Sequence, residues 1–247
     1  MGLRWLWWAV VACAALLPAW APADAASLQV SPTSVTLKAG GNAAGLTLRN
    51  TGTAKLHAQV RVYRWTQEGG DDRLEPSGDI AASPPMIELP PGGQQLVRVI
   101  RLSTPPATAE TAYRLIVDEL PLGTTSEKAP PGLRFALRYS IPVFLLPQDA
   151  NGIAPALRAR VGRDGEASFI QIDNQGGRHA QVADLAYVDA DGGRHAIAPG
   201  LSGYVLPGTR KRWPLPSTFT VSNTGTFKAR INGEPVERSL SLDPTAP

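Results

Sequence analysis

Few side chains of this chain are spaced for covalent or metal chemistry. Its three histidines, His57, His179 and His195, lie far apart in sequence and lack metal-ligand spacing. Each reads as a surface or turn histidine. Asp189-Ala190-Asp191-Gly192-Gly193 begins like a calcium loop, but no glutamate follows at the distance that would complete the ligand set. A hairpin turn accounts for it. Gly200-Leu201-Ser202-Gly203 lacks the spacing of a nucleophile elbow, and Gly40-Gly41 and Gly69-Gly70 are turn pairs rather than phosphate loops. No enzymatic activity, metal or cofactor is expected.

The chemistry that the residues do support is recognition through a shared β-sheet. From Leu133 to Leu145 the odd positions Leu133, Phe135, Leu137, Tyr139, Ile141, Val143 and Leu145 are all large and apolar. The even positions are polar or small as far as Pro142. A period of two marks a strand with one apolar face. The run is longer than a usual strand, and its proline suits an edge strand rather than a central one. A long apolar edge is an aggregation hazard unless it is covered. Taken alone, the run fits either an ordinary half-buried strand or a strand lent to a partner.

The rest of the chain supplies short β-rich runs to hold that strand. Candidates are 35–37, 45–49, 57–65, 95–102 and 112–120, then 167–173, 180–188, 210–215, 219–221 and 225–231, separated by Gly, Pro, Asn and Asp. This spacing predicts an all-β chain of antiparallel sandwiches. Leu46 to Gly52 and Phe169 to Gly176 repeat one design, a strand running into an Asn-x-Gly turn. Asn50/Gly52 and Asn174/Gly176 suit left-handed turn conformations. The echo fits two tandem immunoglobulin-like domains, with the boundary in the turn-rich segment after Pro147. The expected division is a signal peptide over 1–25, a first domain over 26–147 and a second over 148–247.

The first 25 residues read as an export signal. Arg4 supplies a positive start, Trp5 to Leu17 a short apolar stretch, and Ala23-Asp24-Ala25 a cleavage site. That stretch is too short to span a bilayer, so no membrane insertion of the mature chain is expected. Cys13, the only cysteine, lies within it. The exported chain therefore relies on packed cores rather than disulfides. The net charge is +3. Its densest basic groups, Arg158/Arg160/Arg163 and Arg210-Lys211-Arg212, lack interleaved aromatics. They read as solvated surface charge, and no nucleic-acid partner is expected.

Four segments, in order, resemble one family. They are Ser83 to Gly92 followed by Gln94 to Arg98, Ala112 to Pro121 (ending Glu119-Leu120-Pro121), Arg138 to Phe144, and Gly203 to Gly208 with Arg212-Trp213. Together they resemble the PapD-like periplasmic pilus-assembly chaperones, and are most similar to the archaic branch serving Csu-like or spore-coat-U-type pili. The resemblance implies two immunoglobulin-like domains with a cleft between them, and a periplasmic location. It also implies pilus or fimbrial subunits and an outer-membrane usher as partners. Residues 133–141 would then be lent to a subunit whose own sandwich lacks a strand, a mode known as donor-strand complementation.

Under that reading Leu133, Phe135, Leu137, Tyr139 and Ile141 fill the subunit's groove. Five such side chains give roughly 8–15 kcal/mol of gross burial, against association costs of about 4–15 kcal/mol. A one-residue slip would turn Arg134 and Arg138 into the groove. Many members of the family hold the subunit's terminal carboxylate with an arginine and a lysine at positions that here carry Ser34 and Pro142. Antiparallel pairing instead brings Arg114 beside Tyr139–Pro142, making it the first candidate anchor, with Arg98 and Arg138 behind it. An internal ion pair is the alternative role for Arg114. Leu146 also replaces a basic residue of the family's interdomain network. The competing functions are a pilus subunit or adhesin, and a surface carbohydrate-binding sandwich. For the latter only Trp65 and Trp213 remain after the leader, and both read as core or packing residues.

Overall fold

The computed structural model describes residues 28–106, 108–121, 136–216, 221–222 and 224–242. The expected leader, and Leu133 and Phe135 of the alternating run, lie outside the described residues.

Among the described residues every regular element is a strand. In order these are β1 (Leu28–Ser31), β2 (Val35–Leu37), β3 (Ala43–Asn50), β4 (Leu56–Glu68), β5 (Asp71–Pro76), β6 (Ile80–Ser83), β7 (Met86–Leu89), β8 (Gln94–Arg101) and β9 (Thr111–Leu120). They continue with β10 (Arg138–Leu145), β11 (Leu157–Asp164), β12 (Ala167–Asn174), β13 (Ala180–Val188), β14 (Arg194–Val205), β15 (Arg210–Pro214), β16 (Thr226–Ile231) and β17 (Arg238–Leu240). Two pairs of sheets result. β1-β3-β8-β6 faces β2-β10-β9-β4-β5, with β7 also on β4; β11-β12-β15 faces β14-β13-β16-β17.

Each sandwich is held by its alternating inward residues. Leu46, Leu48, Val97 and Val99 meet Tyr113, Leu115, Val117, Ile141, Val143 and Leu145 in the first core. Ile170, Ile172 and Trp213 meet Val182, Leu185, Tyr187, Phe227 and Ile231 in the second. The internal echo marks one device used twice. Asn50 and Asn174 are buried. Each accepts the amide of the residue two ahead, Gly52 at 2.9 Å and Gly176 at 3.0 Å. Each side-chain amide then donates across the turn, to Ala54 O at 2.7 Å and Arg178 O at 2.7 Å. It donates also to a facing strand, at Leu89 O (3.1 Å) and Val205 O (3.0 Å). The left-handed expectation is corrected: Asn50, Asn174 and Gly176 do not take positive φ. Gly176 is required by proximity, because a Cβ there would lie 2.1 Å from Ala154 O.

The alternating run is an edge for only part of its length. β10 pairs antiparallel with β9 over Arg138 to Leu145, and parallel with β2 only over Val143 to Leu145. Among the described residues no strand pairs with the other side of Arg138 to Pro142. Pro142, which lacks an N–H, sits where that open stretch ends.

Candidate functional site

One face of β4, β9 and β10 fills the first core; the opposite face meets the second sandwich at its Trp65, Ala112 and Phe144 end. Register places the outer residues in rows. Arg138 pairs with Asp118 and Asp118 with Gln59; Pro142 pairs with Arg114 and Arg114 with Tyr63; Phe144 pairs with Ala112 and Ala112 with Trp65. Trp65, Ala112 and Phe144 are sealed by Tyr204 and Leu206 of the second sandwich. Trp65 is thus not part of either sandwich core. In β4 the even residues Leu56, Ala58 and Val60 face inward, so Trp65 and Gln67 lie on the outer side, and docking of the second sandwich buries them.

This joint is built mainly from aromatic side chains. Tyr204 meets Trp65 edge-on at 5.4 Å between ring centroids. The His179 ring stacks on Phe144 at 3.6 Å, with Nδ1 2.7 Å from the buried Glu110 carboxylate. His179 is therefore a joint residue rather than a surface one. Its environment is invisible locally because Glu110 and Phe144 come from another domain. His57 and His195 pair with Glu88 at 3.3 Å and Asp189 at 2.9 Å. The Asp189–Gly193 segment forms the turn between β13 and β14, with Asp189 N donating to Gly193 O at 3.0 Å.

Gln67 ties the joint with three hydrogen bonds. Its amide nitrogen donates to Tyr204 O at 2.8 Å, and its oxygen accepts from Leu206 N at 2.9 Å and Thr209 Oγ1 at 2.6 Å. Removing them strands buried backbone groups. Gln67→Ala is expected to lower the unfolding free energy by about 1–2 kcal/mol. Urea denaturation followed by tryptophan fluorescence measures this, and an unchanged midpoint would contradict the role given to Gln67.

Beside the joint opens a cleft of 420 Å³, lined by Val30, Arg114, Tyr139, Pro142, Leu201 and Tyr204 among others. Arg114 is its central cation. Its guanidinium lies 3.6 Å over the Trp65 ring and 5.3 Å from that of Tyr204, and it donates to Ser140 O at 3.4 Å. Among the described residues no carboxylate forms an ion pair with it, so the internal ion pair is not its role here. Burial draws its pKa below the ordinary value, opposed by Tyr204 and Asp72. At neutral pH it is still a cation, because arginine starts so high. The aromatic faces hold it in one orientation.

The other two candidate anchors stand elsewhere. Arg98 is exposed on β8, in the sheet that does not contain β10. Arg138 is hydrogen-bonded to Asp118, which also takes Arg61. Burial pushes the Asp118 carboxyl up, and the hydrogen bonds and charges of both arginines outweigh it, so its pKa lies below the usual value. A depressed carboxylate stabilises the fold above its unfolded pKa of about 3.9. That contribution is lost as pH falls through the folded value. Asp118→Asn is expected to lower the denaturation midpoint at neutral pH, with variant and wild type converging in acid. A gap that stays constant below pH ~4 would show that the pair does not act this way.

The apolar odd positions of β10 form one continuous face whose burial fades toward its start. Val143 and Leu145 are buried, and Ile141 is 4% exposed in its own core. Tyr139 and Leu137 are only partly buried against that core. Ile141 therefore has no apolar surface left for a partner's groove, whereas Leu137 and Tyr139 do. Tyr139 also donates its hydroxyl to Leu28 O.

Residues 27–151 match the family model described as pili and flagellar-assembly chaperone, PapD N-terminal domain. No curated protein matches the chain. Among solved structures, a chain of the CsuC-CsuE chaperone–tip adhesion subunit pre-assembly complex of Acinetobacter baumannii is 22% identical. That match has a TM-score of 0.70 over 88% of this chain and 98% of that one. A chain of the Salmonella enterica SafA pilin–SafB chaperone complex is 17% identical, with a TM-score of 0.62 over 89% and 98%. The Pseudomonas aeruginosa CupB2 chaperone is 16% identical, with a TM-score of 0.59 over 85% and 97%. At these identities the likeness is one of fold.

Proposed function

The chain belongs to the PapD-like family of pili and flagellar-assembly chaperones, and from that premise we propose that it lends residues 133–141 to an incomplete pilus subunit. It binds the subunit after export to the periplasm, keeps its groove covered, and delivers it to an outer-membrane usher. The work is done by strand pairing, without catalysis, nucleotide or metal. The two domains run over 26–147 and 148–247, after a leader of 25 residues. The observation that carries this reading is the open edge at 138–142 together with the fading burial of its apolar face. An edge strand keeps such a face only if something covers it.

Leu133, Phe135, Leu137 and Tyr139 enter the groove, and Ile141 sets the register from inside its own core. The subunit's C-terminal carboxylate enters the interdomain cleft and pairs with Arg114. That cation is already partly desolvated and is oriented by the Trp65 face, so pairing costs it less reorganisation than a free surface arginine. Arg138 is committed to Asp118 and holds the start of β10 against β9.

The test is periplasmic co-expression of the tagged chain with the pilin-like proteins encoded beside it. Capture in one-to-one ratio is the expected result. A folded chain that captures none of them would return the pilus-subunit and surface-binding readings to the front.

A further inference from the structure

Two arginine groups that are some 50 residues apart in sequence become one surface. On the outer face of β11-β12-β15, Arg158 pairs with Asp173 and Asp173 with Arg210; Arg160 pairs with Gln171 and Gln171 with Arg212. The opposite faces of these strands carry Ala159, Ile170, Ile172 and Trp213 into the core. Four arginines therefore flank Asp173 and Gln171 on a single sheet face. Read along the chain they look like scattered solvated charge; strand pairing brings them together.

This face has built features. A recess of 410 Å³ lies between it and the β4–β5 hairpin, lined by Arg158, Arg160, Asp173, Gln175, Thr209 and Arg210 among others. Asp173 is the only carboxylate in that lining. It already accepts the Gln171 amide at 3.0 and 2.9 Å, and it lies 4.0 Å from Arg160 Nε. Arg160 Nε is closed to solvent and has no hydrogen-bond partner among the described residues, while the Arg160 side chain as a whole stays partly exposed. Arg158 has one long bond, to Gln175 at 3.4 Å. No ion pair involves Arg210 among the described residues. Arg212 is held in place by Gln171 at 2.9 Å and by the Phe169 ring 4.5 Å away.

We propose that this face is a second docking site, for an extended acidic segment of a protein partner with carboxylates at alternate positions. The fit is geometric. Same-face residues of an extended chain recur about every 7 Å, and neighbouring strands lie about 4.8 Å apart. Two rows of guanidinium groups therefore match carboxylates at positions i and i+2. Guanidinium forks take carboxylates in paired hydrogen bonds. The recess also reaches Gln67 and Thr209, so its occupant would touch the residues that tie the two domains together.

The test uses the exported full chain and fluorescence anisotropy at low ionic strength. The probe is a labelled peptide with glutamate at alternate positions, and the comparison is the same peptide with glutamine. The glutamate peptide is expected to bind at least about tenfold more tightly. That advantage should vanish in Arg160→Gln/Arg210→Gln and survive in Lys38→Gln/Arg49→Gln, which removes equal charge elsewhere. If the first double variant melts early, Arg210→Gln alone, at the exposed sheet edge, carries the comparison. Equal loss in both double variants would reduce the effect to net charge and overturn the proposal. So would binding of phosphatidylglycerol vesicles or inorganic phosphate at these arginines without binding of the glutamate peptide.

Discussion

Leu137→Asp is expected to weaken capture of a pilus subunit by about a thousandfold while leaving the chaperone folded. Burying a leucine side chain contributes roughly 1.5–3 kcal/mol. An aspartate in the same apolar groove forfeits that and adds the desolvation of an unpaired carboxylate, at least ~1–3 kcal/mol more. Together these come to about 4 kcal/mol, or three factors of ten. Leu137 precedes the first residue of β10 and is only partly buried on its own core, so the fold gives up little. Ile141→Asp should behave differently. Ile141 is 4% exposed inside the first sandwich, and a charge there is expected to unfold that domain. Circular dichroism and subunit co-purification on the two variants separate the effects. A folded Leu137→Asp protein that still captures subunit at wild-type yield would end the donor-strand reading of this residue.

Arg114→Ala is expected to cost roughly 2–4 kcal/mol of subunit affinity, because it leaves a desolvated carboxylate unpaired. Arg114→Lys should recover little of it. A lysine cannot reproduce a planar cation lying 3.6 Å over Trp65 at the wall of the cleft. The decisive measurement pairs each chaperone with a subunit whose C-terminal carboxylate is amidated. If Arg114 is the anchor, amidation weakens the wild type strongly and the Ala variant hardly at all, which is the coupling a double-mutant cycle reads. Independent, additive losses would place the carboxylate elsewhere, with Arg98 and Arg138 the next to test.

Much of both sandwiches was legible in the sequence because their strands alternate. β9, β10 and β12 show their inward faces as every second residue, and the repeated Asn-x-Gly turns mark equivalent positions in both domains. β5 escaped because its residues, Asp71 to Pro76, are all exposed; a strand with no buried face has no periodicity to read. β11 and β7 do alternate, as Leu157/Ala159/Val161 and Ile87/Leu89, but β7 has only four residues among prolines and β11 is interleaved with arginines and runs into the turn at Gly165.

By itself the sequence determined an all-β chain, the inward face of its alternating strands, and the family. The fold class and the strand faces depend on neighbours along the chain, and a period of two carries them; the family rests on four segments that resemble it in order. Only the tertiary structure decided what the outer face of β4, β9 and β10 is for. Docking the second sandwich turned Trp65 and Gln67 into a joint, wrapped His179 between Phe144 and Glu110, and left Arg114 as a partly buried cation with no carboxylate in ion-pair contact among the described residues. It also drew Arg158, Arg160, Arg210 and Arg212 onto one surface. Burial and charge pairing depend on residues distant in sequence, so local pattern cannot show them until the strands have met.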